Sequence, residues 1–505
     1  MSALDPAHRP VLIGASQLSQ RDVTLDTAMT PLAMFERIAR EAARASGAGE
    51  ALLGQLDTIA TSATIGWQAS NPCRLIADAL GARPTTEWVS QMGGETSVAL
   101  VNDVATRITR GESGLGFIAG CNNMKSLELA RRAGVSLDWP EGGAGSPTLV
   151  GKEGQGHDDT EAAVGLDMPI NIYPLFENAL RDARGQSLEA QRAAMGALMH
   201  PFTRTAAANP HAWFPTERSA EELTTPTPVN RMIYFPYPKY LNAVLATEQA
   251  AGVLVASQAV ADQLGVPRDR QIHWRGGAFA AEDPWFVSQR PSFAEGPAIR
   301  TCHTTALANA GIPLDQIELI DFYSCFPIAV AMAIEMLGLD PADPRGFTLT
   351  GGLPYAGGPG NSYSFHSLAT AVERIQRGEA NNALVTGNGW YLTKHSAIVL
   401  AREPAETTPT AEARAETTFG WSAPPVTLDP KPAGPATVET YTIGHDRTGL
   451  PEKGIIVARL DDTGARCLAN TPPDPTLLGE LESRELIGTK GHVTLQTDKP
   501  IFTPA

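Results

Sequence analysis

Arg374-Ile375-Gln376-Arg377-Gly378-Glu379 repeats, nearly letter for letter, Arg107-Ile108-Thr109-Arg110-Gly111-Glu112. The offset, from 107 to 374, is 267 residues, and at that offset Ser97 matches Ser364 and Gly120 matches Gly387. Upstream, Leu56-Asp57-Thr58-Ile59 is echoed by Leu314-Asp315-Gln316-Ile317 at an offset of 258. Two echoes in one order and at similar spacing read as a single α/β unit used twice. Chance is the other reading, because Arg-Gly-Glu after an amphipathic helix is a common ending.

Around the first copy, apolar residues recur at helical spacing over 96–110 (Val98, Val101, Ala105, Ile108), Gly111 closes the helix, and 115–120 follows as a strand. The second copy repeats this with a helix over 364–377 and a strand over 382–389. Before the first copy the pattern predicts strands at 11–14, 56–64 and 87–90 and helices at 31–46 and 71–80. Before the second it predicts helices at 297–310 and 327–337 and a strand at 318–322; a last strand, 396–401, follows. Strands alternating with helices argue for a parallel sheet with crossover helices.

Residues 125–245 break this rhythm. They are rich in Pro, Trp, Tyr and His, with a helical centre at 188–198, and read as a lid over a ligand cleft or as a subdomain that only covers apolar surface. The regular pattern resumes at 250–260, a strand running into a helix. The first unit is therefore 1–124 with 246–270, and the second is 271–402. A Pro/Thr/Ala/Glu stretch, 403–435, has no hydrophobic period and reads as a linker. Short strands at 436–443, 453–460, 465–469 and 492–496 then predict a small β-rich, OB-like barrel over 436–505, read as a cap or partner module.

Composition sets the outer bounds. At 505 residues and 43% apolar content the chain holds about three domains. No run of eighteen apolar residues occurs and the start, Met1 to Pro10, has no apolar signal core, so a soluble cytoplasmic protein is expected. Five scattered cysteines without Cys-x-x-Cys or a Cys/His cluster fit reduced thiols and no metal site. A net charge of −16 argues against nucleic acid and anionic membranes as partners. An anionic ligand at a helix N-terminus stays compatible with it.

In such a fold reactive groups sit where strands end and helices begin. Four segments occupy such places: Met92-Gly93-Gly94-Glu95-Thr96, Tyr323-Ser324-Cys325-Phe326-Pro327, the glycine-rich run from Gly351 to Asn361, and Thr386-Gly387-Asn388-Gly389-Trp390. In this order and spacing they resemble the thiolase superfamily over residues 10–400. The likeness is nearest to thiolase-like proteins of the sterol-carrier type (acetyl-CoA acetyltransferase-like) with an additional C-terminal domain. The resemblance implies a five-layered α-β-α-β-α fold of two βαβαβαββ units. It implies acyl-CoA or another acyl thioester as substrate or ligand, with no other cofactor, and a homodimer paired through the sheet edge unless the added domain obstructs that edge and leaves a monomer.

The same resemblance marks departures. The family's nucleophilic cysteine falls on Gly94, its catalytic histidine of Gly-His-Pro on Gly358, and its acid/base cysteine on Thr386; Cys325-Phe326 keeps part of a His-Asp-Cys-Phe segment. Cysteine thioester chemistry needs a thiolate, a histidine to activate it and a further acid/base. Cys325, at a helix start expected to lower its pKa, stands as a candidate acid/base or as a buried apolar-like thiol. His366 is a candidate proton carrier or a histidine hydrogen-bonded in place, and Glu95 a candidate base or a helix cap. Tyr323 and Asn361 are candidate donors to a carbonyl. The peptide N–H groups at Gly94-Glu95 and Gly387-Asn388 are candidates for an oxyanion hole. Two functions follow: an enzyme acting on acyl thioesters without the usual covalent cysteine, or a catalytically silent acyl-CoA or lipid binder working through a partner.

Overall fold

Each half of the large sheet is built to bury both faces, and the strands read accordingly as apolar runs. The computed structural model describes residues 5–405, 418–497 and 499–505. In chain order the strands are β1 (Pro10–Ser19), β2 (Thr58–Thr61), β3 (Thr86–Ser90), β4 (Leu115–Asn122), β5 (Thr148–Val150), β6 (Met232–Tyr234), β7 (Tyr237–Pro238), β8 (Gln249–Ser257) and β9 (Ile272–Asp283). They continue with β10 (Leu319–Asp321), β11 (Asn382–Gly389), β12 (Lys394–Ala401), β13 (Thr418–Gly420), β14 (Gly434–His445), β15 (Pro451–Leu460), β16 (Arg466–Asn470), β17 (Lys490–Gln496) and β18 (Lys499–Pro504).

The large sheet runs β10-β11-β12-β9-β1-β8-β4-β2-β3-β5, with β13 also on β9. It is symmetric about the β9–β1 seam: β10-β11-β12-β9 on one side mirrors β2-β4-β8-β1 on the other. The helices Thr96–Thr109 and Tyr363–Gln376, and the strands β4 and β11, keep the 267-residue offset throughout. The upstream echo does not. Thr58 pairs with Gly116 and Leu319 with Ala383, so Thr58 corresponds to Leu319, and the counterpart of Leu56-Asp57-Thr58-Ile59 is Ile317-Glu318-Leu319-Ile320. The duplication holds while the matched letters lie three residues out of register.

The sheet is also not purely parallel. The outer pairs are parallel (β2 with β3 and β4, β3 with β5, β10 with β11), as is β13 on β9; β11–β12–β9 and β4–β8–β1 are antiparallel. The cause is the connection between β11 and β12, residues 390–393, too short for a crossover. In the first unit the equivalent connection, between β4 and β8, carries the whole insertion.

Alternation along the strands assigns the layers. Ile118 of β4 and Val385 of β11 face inward onto the two central helices, which share one core with both halves of the sheet. Leu115, Phe117 and Ala119 of β4 face outward onto the helices Pro31–Ala45 and Pro72–Leu80. On the other flank Leu384 and Ile320 meet the helices Pro297–Ala310 and Pro327–Leu337. Five layers result, as the sequence implied.

The C-terminal strands close into a barrel, β14-β15-β16-β18-β17 and back to β14. The helix Pro475–Glu482 lies between β16 and β17; this helix and β18 are the elements the strand pattern had not indicated. Of the expected linker, residues 406–417 lie outside the described residues, and the part that follows is tied down: β13 pairs with β9, and Val426 N–H donates to Gln289 O (2.9 Å). The hairpin β6–β7 of the insertion joins the barrel through Tyr234 opposite Gly444. Among the described residues no helix is long and apolar enough to cross a membrane.

Candidate functional site

The two central helices begin at one place, and their first turns are laced together. Gly93 N–H donates to Asn361 Oδ1 (2.9 Å) and Ser97 Oγ donates to Asn361 O (2.6 Å). Asn361 Nδ2 donates to Ala63 O (2.7 Å). The Asn361 amide is thus engaged within the scaffold rather than turned to a ligand, which corrects the expectation that it donates to a carbonyl.

The end of β11 lies against the first turn. A Cβ on Gly387 would stand 2.7 Å from Glu95 Cα and 3.1 Å from Gly94 O, so only glycine lets the two turns touch. Both Gly387 and Asn388 belong to the antiparallel ladder with β12, opposite Ser396 and His395. Successive N–H groups of a strand point to opposite sides. One of this pair therefore faces β12, and the oxyanion hole expected from both is reduced to one.

Gly94 itself faces Tyr323. A Cβ there would lie 2.5 Å from Tyr323 Cζ, nearer still to its hydroxyl, and 2.6 Å from Asn388 O. Tyr323 is 9% exposed, and burial raises its hydroxyl pKa far above the usual value. Gly358, the other glycine marked by the sequence, packs on the end of the insertion: its N–H donates to Val244 O (2.9 Å).

Glu95 forms no capping bond to its helix. Its carboxylate meets Lys394 Nζ at 2.7 Å, with the two side chains 2% and 0% exposed. Lys394 Nζ also donates to Met92 O (2.7 Å) and Lys152 O (3.2 Å), binding the first turn, β12 and the insertion together. Lys394 was missed in the sequence; its signal was a lysine opening a strand, β12, whose second half is apolar.

Cys325 sits before the helix Pro327–Leu337, yet burial pushes its thiol up to about 12 rather than the helix start drawing it down. Desolvation outweighs the dipole. Asn388 Nδ2 lies 3.9 Å from Cys325 Sγ. His366 lies elsewhere, Nδ1 at 3.1 Å from Gln17 Oε1 on β1, and burial holds its pKa down to about 3. Cys325 and His366 thus have different neighbours and form no acid/base pair. Behind Tyr323, the buried rings of His303 and His395 line with Gly387 and Asn388 a cavity of about 10 Å³, no larger than one water.

A further residue the sequence did not mark is Tyr173, from the insertion helix Pro169–Ala183. Its hydroxyl donates to Trp390 O (2.8 Å) and accepts from Asn388 Nδ2 (2.8 Å), and its ring stacks on Phe326 at 4.5 Å. An aromatic, Pro-interrupted insertion was legible; which of its tyrosines enters the site was not.

A family model, thiolase-like protein type 1 additional C-terminal domain, matches residues 422–498. No curated protein matches the chain. Among solved structures, a monomeric SCP2-thiolase-like protein type 1 from Mycobacterium smegmatis aligns over 99% of this chain and 100% of its own, with 33% identity and a TM-score of 0.84. The Ltp2-ChsH2(DUF35) aldolase structure aligns over 79% of this chain and 98% of its own with 17% identity and a TM-score of 0.59, a likeness of fold alone. With a third of its residues shared along its entire length, the chain belongs to the SCP2-thiolase-like protein type 1 family.

Proposed function

We propose that this protein binds an acyl thioester, with CoA as the carrier, where the glycine turns meet the insertion, and that it forms no cysteine-borne acyl intermediate. The observation that carries this reading is the Tyr323 hydroxyl in the space a side chain on Gly94 would fill. A nucleophile cannot be presented there without displacing the ring. Cys325 supports it further: a thiol with a pKa of about 12 supplies almost no thiolate at neutral pH. Acyl transfer through an enzyme-bound cysteine thioester is therefore not expected of this protein. What these turns retain for a thioester carbonyl is hydrogen bonding, from Tyr323 Oη and from one peptide N–H of the β11 end.

A monomer goes with this reading. The SCP2-thiolase-like protein type 1 that the chain resembles is described as monomeric, and the insertion covers β3 at one end of the sheet with β5. A cytoplasmic setting also fits, since CoA thioesters belong there and all five cysteines are buried free thiols.

The test is calorimetric titration with CoA and with acyl-CoAs of increasing chain length, beside trapping with radiolabelled acyl-CoA. Saturable binding with no label surviving denaturation is expected. Label retained covalently would overturn the non-covalent reading, and no binding across the series would overturn the thioester reading itself.

A further inference from the structure

The barrel's exposed surface is smaller than its strand count implies. Along β15, Ile456 and Ala458 fill the barrel, while Ile455 and Val457, with Leu468 of β16, join the core of the second unit and the insertion. Arg466, fully buried, donates from one nitrogen to Ser288 O and Arg290 O (2.7 Å each) and pairs with Glu439 (2.6 Å). One sheet face of the barrel is thus spent on its own chain.

Further attachments converge on one helix. Thr440 Oγ1 donates to Leu175 O (2.7 Å), Asn178 Nδ2 donates to Tyr441 O (2.9 Å), and Arg181 forms a two-pronged pair with Glu485. Leu175, Asn178 and Arg181 all lie on the helix Pro169–Ala183, which also carries Tyr173. The neighbouring hairpin is held likewise. Phe235 N–H donates to Ile443 O (2.8 Å) and its ring stacks on Tyr441, while Tyr237, two residues on, stacks on Phe326 at 5.6 Å.

At the far end, Tyr173 touches the one strained segment of the site. Trp390 and Leu392 have φ of 54° and 51°, left-handed values that side chains rarely adopt. Such a turn persists when its surroundings over-determine it. Here Arg290 donates to Tyr391 O (3.0 Å) and Leu392 O (3.1 Å), and Tyr173 donates to Trp390 O while holding the Asn388 amide.

We propose that the C-terminal barrel is an intramolecular clamp that sets Tyr173, a positioning residue, against Asn388 and the strained 390–392 turn. The added domain then acts on the site through one helix and one hairpin and touches no ligand.

The test uses the full chain and native-state alkylation by iodoacetamide, with each cysteine followed by peptide mass spectrometry. Cys325 reports the site; Cys73 and Cys121, in the first unit, report general loosening. The remote variants Thr440→Val and Glu485→Gln, alone and together, are compared with Tyr173→Phe, which keeps the ring. Alkylation of Cys325 is expected to rise about tenfold in the double variant and in Tyr173→Phe, with Cys73 and Cys121 unchanged. Thr440→Val alone removes one hydroxyl, so a folded reporter remains if the double variant is unstable. An unchanged Cys325 rate in the barrel variants overturns the proposal, whether or not Tyr173→Phe raises it, and so does a parallel rise at Cys73 and Cys121.

Discussion

The hydroxyl of Tyr323 fills the space that a side chain on Gly94 would need. The two come from opposite units: Gly94 precedes the first central helix and Tyr323 follows β10. A Cβ on Gly94 would also stand 2.6 Å from Asn388 O, a backbone atom that cannot swing aside. Gly94→Ala is therefore expected to destabilise by about 2–4 kcal/mol. Tyr323→Leu in that background should recover part of the loss, because two residues in contact are not additive. Denaturant midpoints of the four proteins measure the coupling, and additive effects would show that the ring does not oppose the side chain. Gly94→Cys restores a thiol but not its space, and radiolabelled acyl-CoA should leave it unlabelled.

The Glu95–Lys394 pair is closed to solvent, and its stabilising value lies in completeness. Removing one partner of a buried pair strands the other charge, at about 3–5 kcal/mol. Lys394→Met alone should therefore lower stability more than Lys394→Met combined with Glu95→Leu. A thermal or denaturant comparison decides it; a double variant worse than both singles would mean that the ammonium contacts to Met92 O and Lys152 O matter more than the charge pairing.

Much of the scaffold was legible because periodicity reports burial. The helical spacing of Val98, Val101, Ala105 and Ile108 and its copy over 364–377 located the two central helices, and glycines at 94, 387 and 389 located the turns. What the sequence could not convey was how far the turns close on each other. Glu95 read as a candidate base or a helix cap because it opens a helix, whereas its partner Lys394 lies 299 residues away and only the fold brings the two together. Cys325 read as an activated thiol, on the strength of a local dipole, or as a buried apolar-like one; Tyr173, from the distant insertion, helps to enclose it, and burial pushes its pKa up. The upstream echo failed by three residues because strand register is set by pairing partners, which the chain does not spell out.

His303, His366 and His395 are buried and neutral, with pKa values held down to about 4, 3 and 3. The unfolded chain takes up protons on them near pH 6.5 while the folded chain does not. The stability they contribute is complete above pH 6.5 and is lost as pH falls from there toward 4. Ring resonances of the three in a selectively labelled sample are expected to stay at neutral-imidazole positions from pH 8 down to pH 5. A midpoint near 6.5 at any of them would show that ring to be hydrated. His395→Asn, which removes one such group, should flatten the fall in stability between pH 6.5 and 4.

Glu177 works in the opposite sense. Its carboxyl is buried in the insertion, accepts from Tyr237 Oη at 2.6 Å, and burial pushes its pKa up to about 7. Between the ordinary carboxylate range and pH 7 the folded chain holds a proton that the unfolded chain has released, so this group lowers stability as pH rises through that window. Glu177→Gln keeps an oxygen acceptor for Tyr237 and removes the ionisation. The variant should match the parent near pH 4.5 and exceed it by about 2–3 kcal/mol at pH 8, the size of a shift of this extent. Denaturation midpoints measured at both values check the sign: a variant that is less stable at pH 8 would mean that the charged carboxylate, and not its proton, is what Tyr237 holds in the folded protein.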